Sequence, residues 1–273
     1  MDLTDTLQEL AINPDAEYDL VEVSLAIAID EYPDLNPSVY LSKLDDYAEE
    51  LKPRLRGSLV NRIAELSHFL FEEEGFSGND DDYYDAKNSY FNEVIDRKLG
   101  LPITLSLLAT AVGERVGLTV VGVGLPGHFI AKATEGPVEI FFDPYHGGQL
   151  LDRDGCAGLI EAVTGQPFEP SDDALAATPI AFVVRRMLMN LKGSYLRTED
   201  FPRAARTIRR LIQLDPTDTG QRRDLGVTLV HSRRPGAAIE HLQYYLANMP
   251  DAEDAVAVGH FLRAARTEVA RWN

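Results

Sequence analysis

Residues 122–151 read GVGLPGHFIAKATEGPVEIFFDPYHGGQLL. Within and just before them lie three runs rich in β-branched and aromatic residues, Thr119–Val123, His128–Ala133 and Val138–Phe142. Each is bounded by glycine or proline, the pattern of short strands separated by turns. Gly122, Gly124 and Gly127 punctuate the first two runs, Glu135-Gly136-Pro137 turns the chain before the third, and Gly147-Gly148 closes the set. Upstream, Gly100-Leu101-Pro102 opens TLSLLATAVGERV, a helix predicted from about Thr104 to Val116 and terminated by Gly117. One helix followed by three adjacent strands is an α+β core, since a βαβ repeat would place a helix between strands.

Toward the amino terminus the periodicity is helical. Asp19 precedes LVEVSLAIAIDEY, which stops at Pro33, and Asn36-Pro37 supplies an N-cap and a first-turn proline for a helix carrying Leu41, Leu44, Ala48 and Leu51. Ser58 caps a third helix, with Leu59, Ile63, Leu66 and Leu70 on one face and Gly75 at its end. GNDDDYYD, residues 78–85, interleaves aspartates with two tyrosines. It lacks the glycine at the sixth position and the glutamate at the twelfth that a calcium loop requires, and reads as a solvated loop.

Toward the carboxyl terminus a helix near Asp152–Val163 precedes a segment rich in Pro, Ser, Ala and Asp, about Gly165–Thr178, which reads as a domain boundary. The remainder repeats itself. Leu188–Pro216 laid over Arg222–Pro250 superposes Leu191 on Leu225, Ala204 on Ala238, Ile208 on Leu242 and Pro216 on Pro250. A 34-residue period of small and large apolar residues ending in proline is the tetratricopeptide pattern of paired antiparallel helices. Leu225-Gly226 supplies the Leu-Gly element of the second copy, where the first has Leu191-Lys192. Two copies need an end cap, and Ala252–Trp272 is predicted to provide a capping helix.

Composition narrows the function. With 273 residues, 45% hydrophobic and 26% charged, the chain is of globular type and long enough for two units. No apolar run approaches the ~18 residues of a membrane span, and the opening MDLTDTLQEL is acidic where a signal peptide is basic, so the expectation is a cytoplasmic protein with no membrane partner. The single cysteine, Cys156, excludes an internal disulfide and a multi-thiolate metal site. Residues 1–180 carry 11 Lys/Arg against 34 Asp/Glu, while 181–273 carry 15 against 10. The strongly acidic front speaks against nucleic-acid binding. The arginine pairs of the repeats, such as Arg209-Arg210 and Arg222-Arg223, lack the interleaved aromatics of single-strand binders.

The chemistry concentrates on His128 and Asp143. A tight hairpin between their strands would set imidazole beside carboxylate, the orienting pair of a nucleophilic triad, with the nucleophile at the start of the preceding helix. His146 adds a second imidazole, and His128, Asp143 and His146 could together offer two nitrogens and an oxygen to a metal, although three such groups in 19 residues are weak grounds, and no metal or cofactor is assigned. Thr104 and Ser106 are weak candidate nucleophiles, because a hydroxyl starts from a much higher pKa than a thiol. Asn88, Tyr145 and His146 are candidate binding residues. Asn88, with Ser89 and Asn92, could instead tie the helical lead to the core.

The order of helix, strand, PGHF strand and DPYHGG resembles the transglutaminase-like (papain-like) fold. NSYFNEVIDRKLGLPITLS, GVGLPGHFIAK, FFDPYHGGQLL and RDLGVTLVHSRRPGAAIEHLQYYL together resemble the bacterial SirB-type transglutaminase-like proteins, over residues from about 20 to 265. The resemblance implies a helical lead packed on the core (1–78), a transglutaminase-like core (79–165) and an all-α tetratricopeptide unit (181–273), with the linker read from composition between the last two (166–180). It also matches His128 and Asp143 to the family's catalytic histidine and aspartate. The cysteine of that family falls at about Pro102–Thr104, where this chain has no thiol, and Cys156 lies beyond both partners.

The first expectation is therefore a non-catalytic or vestigial transglutaminase-like protein, a pseudoenzyme that binds a protein or peptide through its repeats. The alternative is a cysteine-independent hydrolase or acyltransferase in which His128 is the base and Asp143 its orienter. The third is a structural scaffold. The oligomeric state is not legible in the sequence.

Overall fold

The Asp2 carboxylate accepts from the backbone amides of Thr4 and Asp5 and starts the first helix, α1 (Leu3–Ile12), in a computed structural model that describes residues 1–14 and 16–271. Asp19 caps α2 (Leu20–Ile29) in the same way, and Asn36 with Pro37 starts α3 (Pro37–Leu51). Ser58 caps α4 (Leu59–Ser67), which relaxes into a π-helical turn over His68–Glu73. Gly75, at φ +75°, then redirects the chain.

The following loop is held at both ends. β1 (Ser77–Gly78) and β2 (Leu99–Gly100) pair in parallel, with α5 (Phe91–Arg97) between them, so the acidic segment leaves the ladder beside the start of α6 (Pro102–Arg115). A four-stranded antiparallel sheet follows: β3 (Thr119–Leu125), β4 (His128–Glu135), β5 (Val138–Asp143) and β6 (Gln149–Leu151), in that order across the sheet. Alternation sorts its residues. Val120, Ala131, Ala133 and Phe142 join the main core with Leu105, Leu108 and Val112 of α6 and Phe69, Phe76 and Phe91. Val123, Leu125, Ile130 and Phe141 point the other way and pack on Cys156 and Ile160 of α7 (Arg153–Thr164).

The chain divides into two compact units. The first runs from Glu17 to Val183; the second joins residues from Val184 onward to α1. The second unit contains most of α8 (Ile180–Arg197) and then α9 (Phe201–Leu214), α10 (Thr219–His231), α11 (Pro235–Asn248) and α12 (Ala255–Ala270). Ala205, Ile208, Leu225, Leu229, Ala238, Leu242, Tyr245 and Val258 form its core. Gly226 matters there: a Cβ would stand 2.6 Å from the Leu242 side chain and 3.2 Å from the Leu242 backbone nitrogen, so the closeness of α10 to α11 depends on its absence.

Three features differ from the sequence expectation. α1 packs on α9 within the second unit, burying Leu3, Leu7 and Leu10, and Arg210 donates to Thr4 Oγ1 at 2.8 Å; it is not part of a lead on the core. The strand set does not close at Gly147-Gly148, because β6 follows at once. The linker is tied to the first unit: Gly124 N donates to Thr178 Oγ1 at 2.7 Å and Thr178 N to Gly122 O at 2.9 Å, which covers the free edge of β3. A helix, α12, lies in the stretch expected to cap the repeats; Trp272, included in that expectation, lies outside the described residues. Among the described residues no helix is long and apolar enough to cross a membrane.

Candidate functional site

His128 opens β4 and Asp143 closes β5, and the hairpin between them brings His128 Nε2 to 2.8 Å from Asp143 Oδ2. Both side chains are almost fully enclosed, at 4% and 1% exposure. Asp143 also caps the short 3-10 turn Pro144–His146, accepting from Tyr145 N at 3.0 Å, and His146 Nδ1 reaches the same Oδ2 at 2.7 Å. Two imidazoles therefore share one carboxylate oxygen. Burial alone would raise the Asp143 pKa, but the hydrogen bonds and charges of His128 and His146 outweigh it and hold the carboxyl below its ordinary range.

Aromatic rings enclose the pair. The His146 ring stacks on that of His128 with centroids 5.7 Å apart, and Tyr145 meets His128 edge-on at 6.1 Å. Gly147 and Gly148, at φ +70° and +74°, return the chain beneath this turn, and a Cβ on Gly148 would stand 2.4 Å from Ser67. Tyr145 is held in turn by Asp80, which accepts its hydroxyl at 2.7 Å. A Cβ on Gly78 would strike the Tyr145 ring at 2.6 Å, so that glycine makes room for it. Burial first, then the Asp80 bond, pushes the Tyr145 pKa well above the ordinary phenol value, and the side chain stays a neutral donor.

Residues 79–85 are thus less a free solvated loop than a tethered one. Asn88, fully buried, accepts from Asn79 Nδ2 at 3.0 Å and donates through Nδ2 to Asp82 O and Tyr83 O. Asn88 is placed to fix this loop beside Tyr145, and its amide is consumed in doing so. Asn79 and Asp80 are the residues that sequence reasoning missed. The available signal was Gly78, since a glycine at a close approach marks the ring that fills the space. Ser89 Oγ and Asn92 Oδ1 are buried with no hydrogen-bond partner among the described residues.

The nucleophile candidates are placed otherwise. Thr104 sits in the first turn of α6, where its hydroxyl donates to Asn88 O at 2.9 Å and accepts from Leu101 N at 2.9 Å, a capping arrangement with no exposure. Ser106 is equally buried and faces Phe129 O at 3.4 Å. Cys156, on α7 in the second apolar cluster, has its thiol pushed up to about 11 by burial and by Asp152. Such a thiol is inert at neutral pH. The ligand atoms of His128, Asp143 and His146 lie within 4.8 Å of one another, close enough for these three to hold a metal, although the sequence reading assigned none. A separate pocket of about 410 Å³, lined by Ile103, Leu107, Glu114, Val120 and Phe129, excludes the pair from its walls.

A helix whose start faces a sheet carrying histidine and aspartate on successive strands, within a chain that also holds paired-helix repeats, defines a transglutaminase-like protein with tetratricopeptide repeats. A family model for the transglutaminase-like superfamily matches residues 38–189, and one for the tetratricopeptide repeat matches 191–263. A UPF0162 protein of Xylella fastidiosa strain Temecula1 is 33% identical over 260 residues, covering 93% of this chain and 92% of the relative. One from Vibrio cholerae is 24% identical over 245 residues, 87% of this chain and 90% of that protein. F-box only protein 21 of Mus musculus is 31% identical over 103 residues, 35% of this chain but 16% of that protein. No solved structure matches. The chain belongs to the UPF0162 family of transglutaminase-like proteins, in keeping with its SirB-type motifs.

Proposed function

We propose that this protein is a non-catalytic, vestigial transglutaminase-like module that binds a protein or peptide through its tetratricopeptide unit in the cytoplasm. The observation that carries the reading is the state of the nucleophile position. The His128–Asp143 pair is intact, yet the first turn of α6 offers Pro102, Ile103 and a Thr104 hydroxyl already engaged by two backbone groups. Ser106 and Cys156 are enclosed as well. Without a nucleophile the pair serves as a buried polar tie between β4, β5 and the turn after β5. Tetratricopeptide repeats supply the binding surface, as stacked helical repeats commonly do. Affinity capture with the full chain tests this: a specific partner should be retained by wild type and lost on Leu242→Asp, which disrupts the repeat core. Equal capture by both would refute it.

A second reading is favoured by one observation, the convergence of His128, Asp143 and His146 ligand atoms. A divalent metal held there could activate water for hydrolysis without a cysteine. That reading requires metal-dependent turnover that His146→Ala abolishes.

A further inference from the structure

Several basic side chains of the repeat unit are paired with its own aspartates. Arg185 pairs with Asp215 and Asp218, Lys192 with Asp224, and Arg223 with Asp224 and Asp254. Arg209, Arg222 and His241 differ. They come from α9, α10 and α11 and, with Ile212, Gln213 and Leu225, line a pocket of about 250 Å³. Among the described residues no carboxylate lies within ion-pair distance of any of the three. Two of their nitrogens, the Arg222 Nε donor and His241 Nδ1, are buried with no hydrogen-bond partner among the described residues. Buried polar groups are normally satisfied, and an unpaired guanidinium nitrogen is among the costliest to leave alone.

The arrangement is also held in place. The Arg222 guanidinium lies over the Tyr244 ring, 5.1 Å from its centroid, and among the described residues Arg209 donates only to its own helix, at 3.5 Å from Ala205 O. Burial and neighbouring guanidinium groups disfavour the charged forms here. Burial, then Arg234, lowers the Arg209 pKa, and burial, then Arg222, lowers that of His241, with Glu240 opposing and Arg209 adding to the effect. The two guanidinium cations, with His241 beside them favouring its neutral form, are stabilised when an anion enters, and their forked donors match a carboxylate. Ile212 gives the pocket an apolar wall, which a free inorganic anion would leave unused but a side chain next to a carboxylate would cover.

We infer that this pocket is a carboxylate-binding site for an acidic, leucine-type peptide segment of a partner protein. The inference rests on the reading of the repeat unit as a peptide binder and adds the chemistry of the peptide. The carboxylate could come from a chain terminus or from an Asp or Glu side chain, and the probes separate these.

The test uses the full chain and a fluorescent pool of N-acetylated hexapeptides built from Glu and Leu, a matching pool with Gln for Glu, and both pools as free acids and as amides. The acidic pool should bind at least tenfold tighter than the Gln amides, weaken as salt is raised, and lose at least tenfold in Arg209→Gln/Arg222→Gln. Arg266→Gln, an exposed charge change outside the pocket, should leave binding unchanged. Retention by amidated acidic peptides assigns the site to side-chain carboxylates; retention by Gln free acids assigns it to a terminus. Circular dichroism and melting establish that the double variant is folded, and Arg222→Lys, which keeps the charge, provides a gentler variant. Acidic and Gln amide pools that bind alike, or a double variant that binds like wild type, would overturn the site. Partner capture that survives the double variant but not Leu242→Asp would leave the peptide-binding reading standing while the carboxylate pocket falls.

Discussion

At His128 and Asp143 the sequence carries its chemistry openly, because a two-strand hairpin of known register places residues 15 apart side by side. His146 is also legible as a candidate, but the oxygen it shares with His128 is not. His146 is three residues beyond Asp143, and only the tight Pro144–His146 turn brings its ring back to the same oxygen. The consequence is measurable. Asp143→Ala removes the acceptor for two imidazoles and for Tyr145 N, and should cost about 1–3 kcal/mol in chemical denaturation. The Asp143 carboxyl lies below its ordinary range in the folded protein, so its contribution is complete above the unfolded value of about 3.9 and is lost as pH falls below that, through the folded value. The melting temperature of wild type should therefore fall more steeply below about pH 4 than that of Asp143→Asn. Parallel pH profiles would show that the pair does not hold a charged carboxylate.

Elements whose signals were strong, α6, β3 to β5 and the 34-residue repeats, follow from turn glycines, N-caps and apolar spacing. β6, α5 and α1 were illegible for different reasons. β6 is three residues long, too short to show alternation; α5 is two turns between a 3-10 turn and a left-handed Lys98; and α1 is an ordinary capped amphipathic helix whose partner, α9, lies two hundred residues away. Long-range pairing of that kind leaves no local trace. Two substitutions probe what the elements depend on. Gly226→Ala would force Leu242 aside where α10 meets α11 and should destabilise the repeat unit by about 1–3 kcal/mol, seen as a lower denaturation midpoint. Asn88→Ala would orphan the groups that tether residues 79–85, and amide exchange there should quicken by at least tenfold while that of the β4–β5 hairpin stays slow.

Over the whole molecule the charge is divided as the sequence showed, an acidic front and a mildly basic repeat unit, in which Arg185, Lys192 and Arg223 are paired with aspartates of the same unit. The proposed non-catalytic, binding role rests on three observations: a histidine–aspartate pair closed off from solvent, an engaged Thr104 and a repeat unit with an unpaired cationic pocket. The return of α1 to the repeats was beyond sequence reasoning, and the Pro-rich linker looks like a free connection until its hydrogen bonds to β3 are seen. The most direct test of the account is turnover by purified wild type and His128→Ala against pooled ester, amide and glutamine-plus-amine substrates, with and without added zinc. The account predicts equal, background rates for both proteins under every condition. Turnover by wild type that His128→Ala abolishes, in a variant that remains folded, would contradict it and establish an enzyme that works without a cysteine.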